Sequence, residues 1–359
     1  MRTRVWSGIL LPLCLALAEQ AVAAPIQAEQ GDFVLHDFRF TTGEVLPELN
    51  LHYTTVGTPL RDGSGRVRNA VLLLHGTGGR AASLLRPEWA DALYGPGQPL
   101  DVSRYYLILP DSVGHGGSTK PSDRLHARFP RYTYDDMVRA QHLLLTQGLG
   151  VDHLRLIVGI SMGGMHAWMW AATYPEFADA VLPMACLPVQ IAGRNRMERR
   201  AITDAIRNDP EWRGGEYVRQ PSGLTIALQI AFMTGSGARE LYLAAPTVAA
   251  ADRLLDDTVR SSLATTDAND FLYAWESSRT YDPGPGLERI RATVTAINSA
   301  DDERYPPELG VMEREIRRVP RGRYVLIPIS DASRGHRTFY RVELWKQFLV
   351  ELLAVSERQ

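Results

Sequence analysis

The chain has 359 residues, 45% hydrophobic and 22% charged, with 30 Gly and 22 Pro. That composition excludes disordered, collagen-like and disulfide-scaffold classes and leaves ample surface to bury in a core. The 39 basic residues are offset by 41 acidic ones for a net charge of −2, so neither nucleic acid nor an anionic membrane is an expected partner.

In chain order, Arg2 and Arg4 precede an apolar stretch over 5–18, and Ala21-Val22-Ala23 has the small-residue pattern of a cleavage site. This predicts a signal peptide over 1–23 and a periplasmic or secreted chain. The apolar run is too short to span a bilayer. Leu13 precedes Cys14 where a lipid anchor needs a small residue, so no membrane attachment is expected after cleavage. Cys186 is then the lone cysteine, which excludes an intramolecular disulfide. It follows an apolar run and reads as a small buried residue.

The segment 33–56 alternates around Thr42-Gly43 and predicts antiparallel strands. Short, near-continuous apolar runs at 70–74, 105–109, 154–160, 180–184, 293–298 and 324–329 predict strands buried on both faces of a mostly parallel sheet. Helical patterns lie at 134–146, 162–173, 309–318 and 337–354, so helices are expected on both faces. Between 187 and 285 the strand rhythm stops, which predicts a helical cap inserted into a core of 24–186 and 286–359. Arg194, Arg196, Arg199 and Arg200 open that insertion and read as a solvated helix face; the alternative is that they draw in anionic substrates.

Gly159-Ile160-Ser161-Met162-Gly163 is a G-x-S-x-G sequence running from a predicted strand into a predicted helix. The glycines suit a tight turn that presents a serine hydroxyl, and the helix aims its positive end at it. A serine needs a base, and for such a turn the chain order is serine, acid, histidine. Only His166 and His336 follow Ser161. His166 sits on the helix after the serine and points elsewhere, so His336, after the last strand, is the expected base. The acid is expected after strand 293–298, where Asp301 and Asp302 both qualify; Asp331 is less well placed. An oxyanion needs two convergent N–H groups. These are expected from the backbones of Met162 and Thr77, the latter in His75-Gly76-Thr77-Gly78-Gly79. His75 reads as a loop-stabilising residue. Neither G-x-G-x-x-G nor G-K-[S/T] is present, and no metal-binding spacing occurs, so no cofactor or metal is expected. Trp168, Trp170 and Trp212 read as packing residues.

Leu109-Pro110-Asp111-Ser112-Val113-Gly114-His115-Gly116-Gly117-Ser118-Thr119, Tyr134-Asp135-Asp136-Met137-Val138-Arg139-Ala140-Gln141, Ser161-Met162-Gly163-Gly164-Met165 and Ile206-Arg207-Asn208-Asp209-Pro210-Glu211-Trp212 resemble the α/β-hydrolase superfamily in its homoserine O-acetyltransferase-like branch. The likeness covers about 33–339 and implies the α/β-hydrolase fold and, weakly, a homodimer. Its D-x-x-[Y/F]-P pattern selects Asp302 over Asp301. The sequence departs from the branch in two places. Arg337 stands where the branch has an aspartate that helps hold the substrate's amino group, and 237–243 does not match its carboxylate-binding arginine stretch. A cation at 337 repels an ammonium. With export, where acetyl-CoA is absent, this favours a serine hydrolase acting on a small-molecule acyl substrate, a carboxylic ester (less so a thioester or amide). Acyl transfer to an alcohol or amine is the rival enzyme reading, and a non-catalytic binding protein on the same scaffold the rival outside enzymology.

Overall fold

The computed structural model describes residues 27–357; the expected signal segment 1–23 lies outside them. Among the described residues, strands β1 (Ala28–Arg39), β2 (Val45–Val56), β3 (Ala70–Leu74), β4 (Tyr106–Pro110), β5 (Leu156–Ile160), β6 (Ala180–Met184), β7 (Thr293–Ser299) and β8 (Gly322–Ile327) form one sheet in the order β1-β2-β4-β3-β5-β6-β7-β8. The first two strands pair antiparallel, with Leu35 opposite Leu49, and β2 meets β4 antiparallel. All other pairings are parallel.

The sheet is buried on both faces because alternate side chains enter two separate cores. Leu72, Leu74, Ile157, Val181 and Val294 face one side, packing with helices α2 (Tyr134–Leu143) and α3 (Met162–Thr173). Val71, Leu73, Val158, Ile160 and Leu182 face the other, against α1 (Pro87–Leu93) and α10 (Lys346–Ser356). A strand with period-two side chains between two helical layers has no polar face to show. The α2 helix starts at a capping box in which Thr133 and Asp136 satisfy each other's backbone N–H groups. Asp136 also takes the Thr41 N–H at 2.8 Å, tying the β1–β2 hairpin to the helix.

Between β6 and β7 the chain forms α4 (Gly193–Arg207), α5 (Ser222–Gly235), α6 (Ala238–Ala244), α7 (Val248–Leu263) and α8 (Ala268–Glu276). These helices have a small core of their own, including Ile202, Ile206, Leu224, Leu272 and Trp275. The expectation of a solvated arginine face holds for Arg194 and Arg200, which pair with Glu303 and Asp204, and fails for Arg199. That residue is 2% exposed, bonds Asn195 and Ser278, and lies 5.0 Å over the Trp275 ring. Near the end of the chain, the expected helix over 337–354 begins later. Two 3-10 turns, Gly335–Tyr340 and Val342–Leu344, precede α10. The helix expected over 309–318 is reduced to α9 (Val311–Glu315) and one 3-10 turn.

Candidate active site

Ser161 sits between β5 and α3 with φ 52° and ψ −111°, a backbone state that a side chain rarely adopts and that persists only where neighbours enforce it. The neighbours here are main-chain atoms. A Cβ on Gly159 would stand 2.0 Å from the Gly163 carbonyl oxygen, and one on Gly163 would stand 2.1 Å from that of Leu74. The helix therefore starts hard against the sheet, and the serine is turned outward from the strand ends.

Ser161, His336 and Asp302, singled out separately from the sequence, form one hydrogen-bonded line. His336 Nε2 lies 2.9 Å from Ser161 Oγ, and His336 Nδ1 lies 2.8 Å from Asp302 Oδ2. Asp302 is 1% exposed and ionised carboxylates only accept, so the imidazole donates from Nδ1 and its Nε2 accepts the serine proton. The ring is packed between Tyr305, at 5.7 Å, and Phe339, at 6.1 Å.

Both acids that position alone left open have a place. Asp302 takes the ring at Oδ2 and the Arg304 N–H at Oδ1, 2.9 Å away. Asp301 points the other way and accepts from Ser333 Oγ at 2.8 Å and from the Gly335 N–H at 3.0 Å. It holds the loop that carries His336. Asp331 is a surface group paired with Arg239.

Met162 is the first residue of α3, where helical N–H groups have no intrahelical acceptor. Thr77 lines the same cavity as Ser161, and a Cβ on the adjoining Gly76 would lie 3.5 Å from the Ser161 Cβ. That loop is fixed by His75. Its Nε2 accepts the Ser112 N–H at 3.0 Å, so its proton resides on Nδ1 and is donated to the Gly76 carbonyl at 2.9 Å. Burial pushes the His75 pKa down, which keeps the ring neutral.

His166 is buried away from the line, beside Gln141 and Tyr134, with its pKa lowered well below the usual value by burial. Cys186 is buried and its thiol pKa is raised by the same cause. Trp168 and Trp170 are fully buried in the core beside α2 and the sheet. Trp212 is half-buried in the cap, where it bonds Asn269.

Above Ser161 lies a cavity of about 300 Å³. Phe232, Phe271 and Trp275 of the cap form its apolar wall, and Arg86, Arg304 and Arg337 supply its charge. The sequence reading did not single out Arg86, Arg304, Trp275 or Tyr340, which no local pattern marks. Arg304 is the rivet between cap and core. Its guanidinium lies 2.7 Å from Glu198 on α4, bonds the Ala231 carbonyl and Thr234 on α5, and stacks 5.3 Å over Trp275.

The profile of the alpha/beta hydrolase fold family matches residues 69–328. A probable acyltransferase of Methanothermobacter thermautotrophicus is 29% identical over 89% of this chain and 96% of its own length. A homoserine O-acetyltransferase of Pelobacter propionicus is 30% identical over 89% of this chain and 94% of its own. Among solved structures, esterase E22 superposes with a TM-score of 0.81 at 19% identity, covering 91% of this chain and all of that one. The chain is an α/β-hydrolase-fold enzyme and belongs to that superfamily, in its homoserine O-acetyltransferase-like branch.

Proposed function

We propose that the protein is an exported serine hydrolase that cleaves a carboxylic ester through an acyl-enzyme on Ser161. The observation that carries this reading is the Ser161–His336–Asp302 line at the floor of the cavity. Ser161 Oγ attacks the ester carbonyl while His336 Nε2 takes its proton, and the same nitrogen returns the proton to the departing alcohol. Asp302 holds the imidazole in its Nδ1–H tautomer and stabilises the imidazolium. The N–H groups of Met162 and Thr77 receive the oxyanion, an interaction worth about 3–4 kcal/mol per donor. Water, activated by His336, then releases the acid. No cofactor enters any of these steps.

The apolar wall of Phe232, Phe271 and Trp275 suits a small acyl or alcohol part. Export rests on the basic, apolar and Ala21-Val22-Ala23 pattern of the first residues, and mass spectrometry of the mature chain tests it by its first residue. Hydrolysis of p-nitrophenyl esters by the native protein and by Ser161→Ala tests the chemistry. Turnover that falls by about four orders of magnitude or more in the variant is expected; turnover retained there overturns the reading.

A second reading, acyl transfer, is favoured by the names of the curated relatives. Both reactions share the acyl-enzyme and differ in what attacks it. Product analysis in the presence of added alcohols or amines separates them: transfer predicts acylated acceptor in excess of free acid.

A further inference from the structure

The cavity above Ser161 is lined by three arginines and by no carboxylate. Their compensation is unequal. Arg304 is neutralised by Glu198 in a buried pair. Arg337 bonds Glu240 at 2.9 Å, but Glu240 also faces Arg334 at 3.7 Å, so one acid serves two cations. The Arg337 Nε is buried and has no hydrogen-bond partner among the described residues. Arg86, the residue capping α1, has no carboxylate within ion-pairing distance among the described residues.

Arg86 and Arg337 line the same cavity as Tyr340. Burial raises the pKa of the Tyr340 hydroxyl, and both guanidiniums act on it in the opposite sense, with Glu88 opposing them from outside the cavity lining. Tyr340 therefore remains a neutral donor at the wall of the cavity that it shares with both cations. Two guanidinium forks beside a hydroxyl donor form a cradle for a planar anion, and a partly dry wall strengthens the attraction. Glu240 Oε2 is also buried with no hydrogen-bond partner among the described residues, but Glu240 is not part of the lining.

We propose that the ester taken by this site carries a carboxylate, seated on Arg86 and Arg337 with Tyr340 as a further donor of the same cavity wall. This rests on the ester-cleaving reading above and names its substrate class. A cationic substrate of the same shape meets two like charges and is rejected.

The test compares esters matched in length. The mono-p-nitrophenyl esters of succinic and glutaric acid put the carboxylate on the acyl part, and 3-acetoxypropionate puts it on the alcohol part. The neutral partners are p-nitrophenyl butyrate, p-nitrophenyl valerate and propyl acetate. At low ionic strength one charged series is expected to exceed its neutral partner in kcat/KM by about tenfold or more, with the gap closing as salt is added. The charged-to-neutral ratio is expected to fall about tenfold in Arg337→Gln and in Arg86→Gln. Because Arg337→Gln also releases Glu240, Arg86→Gln, on an exposed side chain, is the variant that decides.

Equal rates for charged and neutral esters in the native protein, or a ratio unmoved in Arg86→Gln, overturn the proposal while leaving the hydrolase reading intact. Calorimetry on Ser161→Ala with the same esters separates the two ideas in the other direction. Binding of a carboxylated ester that Arg86→Gln abolishes, in a protein whose native form hydrolyses none of them, sinks the hydrolase and keeps the subsite. Absence of both binding and turnover sinks the subsite.

Discussion

The turn at Ser161 and the cap above it are held by different kinds of contact. Around Ser161 the constraints are main-chain: a left-handed serine, two glycines pressed on carbonyl oxygens, and a sheet whose central strands are buried along their length. In the cap they are mostly side-chain: a small cluster around Leu272 and Trp275, the Arg304–Glu198 pair, and a buried Arg199 bonded only to neutral groups at its Nε and one terminal nitrogen, with one close main-chain approach where Gly223 of α5 meets the Ala205 carbonyl of α4. Along α7 only Val259 is buried, and Tyr242, Leu243 and Val248 stand out into solvent. Backbone contacts permit almost no variation, whereas side-chain contacts can be exchanged residue by residue. Ser161 is thus fixed by the part of the molecule that tolerates least change, and the walls of the cavity above it by the part that tolerates most.

The largest expected effect tests the fixed part. His336→Ala lowers kcat by about ten-thousand-fold or more, and Asp302→Asn by about a thousand- to ten-thousand-fold while leaving the ring in place, both read with a neutral p-nitrophenyl ester. Next comes Gly163→Ala, whose Cβ has no room beside Leu74. It is expected to cost roughly 4 kcal/mol or more, seen in urea unfolding or as insoluble expression. Glu198→Ala probes the cap in the same measurement. It leaves the Arg304 guanidinium buried without its carboxylate and is expected to cost about 3–5 kcal/mol. If Glu198→Ala proves harmless, the division between backbone-held and side-chain-held regions loses its support.

Asp301→Ala has a smaller effect, a fall of about ten- to thirtyfold in kcat with little change in KM, because it removes the acceptor of Ser333 and Gly335 without touching the ring. The smallest effect concerns Asp270 on α8, which accepts from Ser122 of the core and whose pKa burial raises to about 6 from 3.8. The folded state binds this proton more tightly than the unfolded one. Its contribution to stability is therefore greatest below the ordinary carboxylate range and declines as pH rises towards about 6. Asp270→Asn is expected to flatten that slope, measured as thermal midpoints between about pH 4 and 7.

The sheet was largely legible in the sequence because strands buried on both faces become unbroken apolar runs; 70–74 and 180–184 match β3 and β6 residue for residue. The serine and its histidine were legible because chain order and a short inventory of histidines leave few choices. The cap's details were not. Arg199 reads as surface in a run of arginines, since its burial depends on Asn195, Ser278 and Trp275, the last two some eighty residues on. Arg86 and Arg304 were missed for the same reason, and Arg337 stood out only as a departure from the family pattern: the three come from separate segments and meet only in the folded chain. Asp301 was seen as a candidate acid, but its task, holding the Gly335 N–H, has no pattern in sequence.

Asp301 and Asp302 are neighbours in one tight turn, and their side chains leave it in different directions. Their roles are therefore assigned by counting residues from the end of β7, and chemical identity does not distinguish them. Removing Ala300 would shift Asp302 into the place of Asp301 and bring Glu303 to face the imidazole; adding one residue there would bring Asp301 to the ring and leave Ser333 and Gly335 without their acceptor. Loops near a molecule's surface ordinarily absorb insertions and deletions. Here, the run Asp301-Asp302-Glu303 keeps a carboxylate at the position opposite the ring when the turn gains or loses one residue, so the composition of the turn cushions its length.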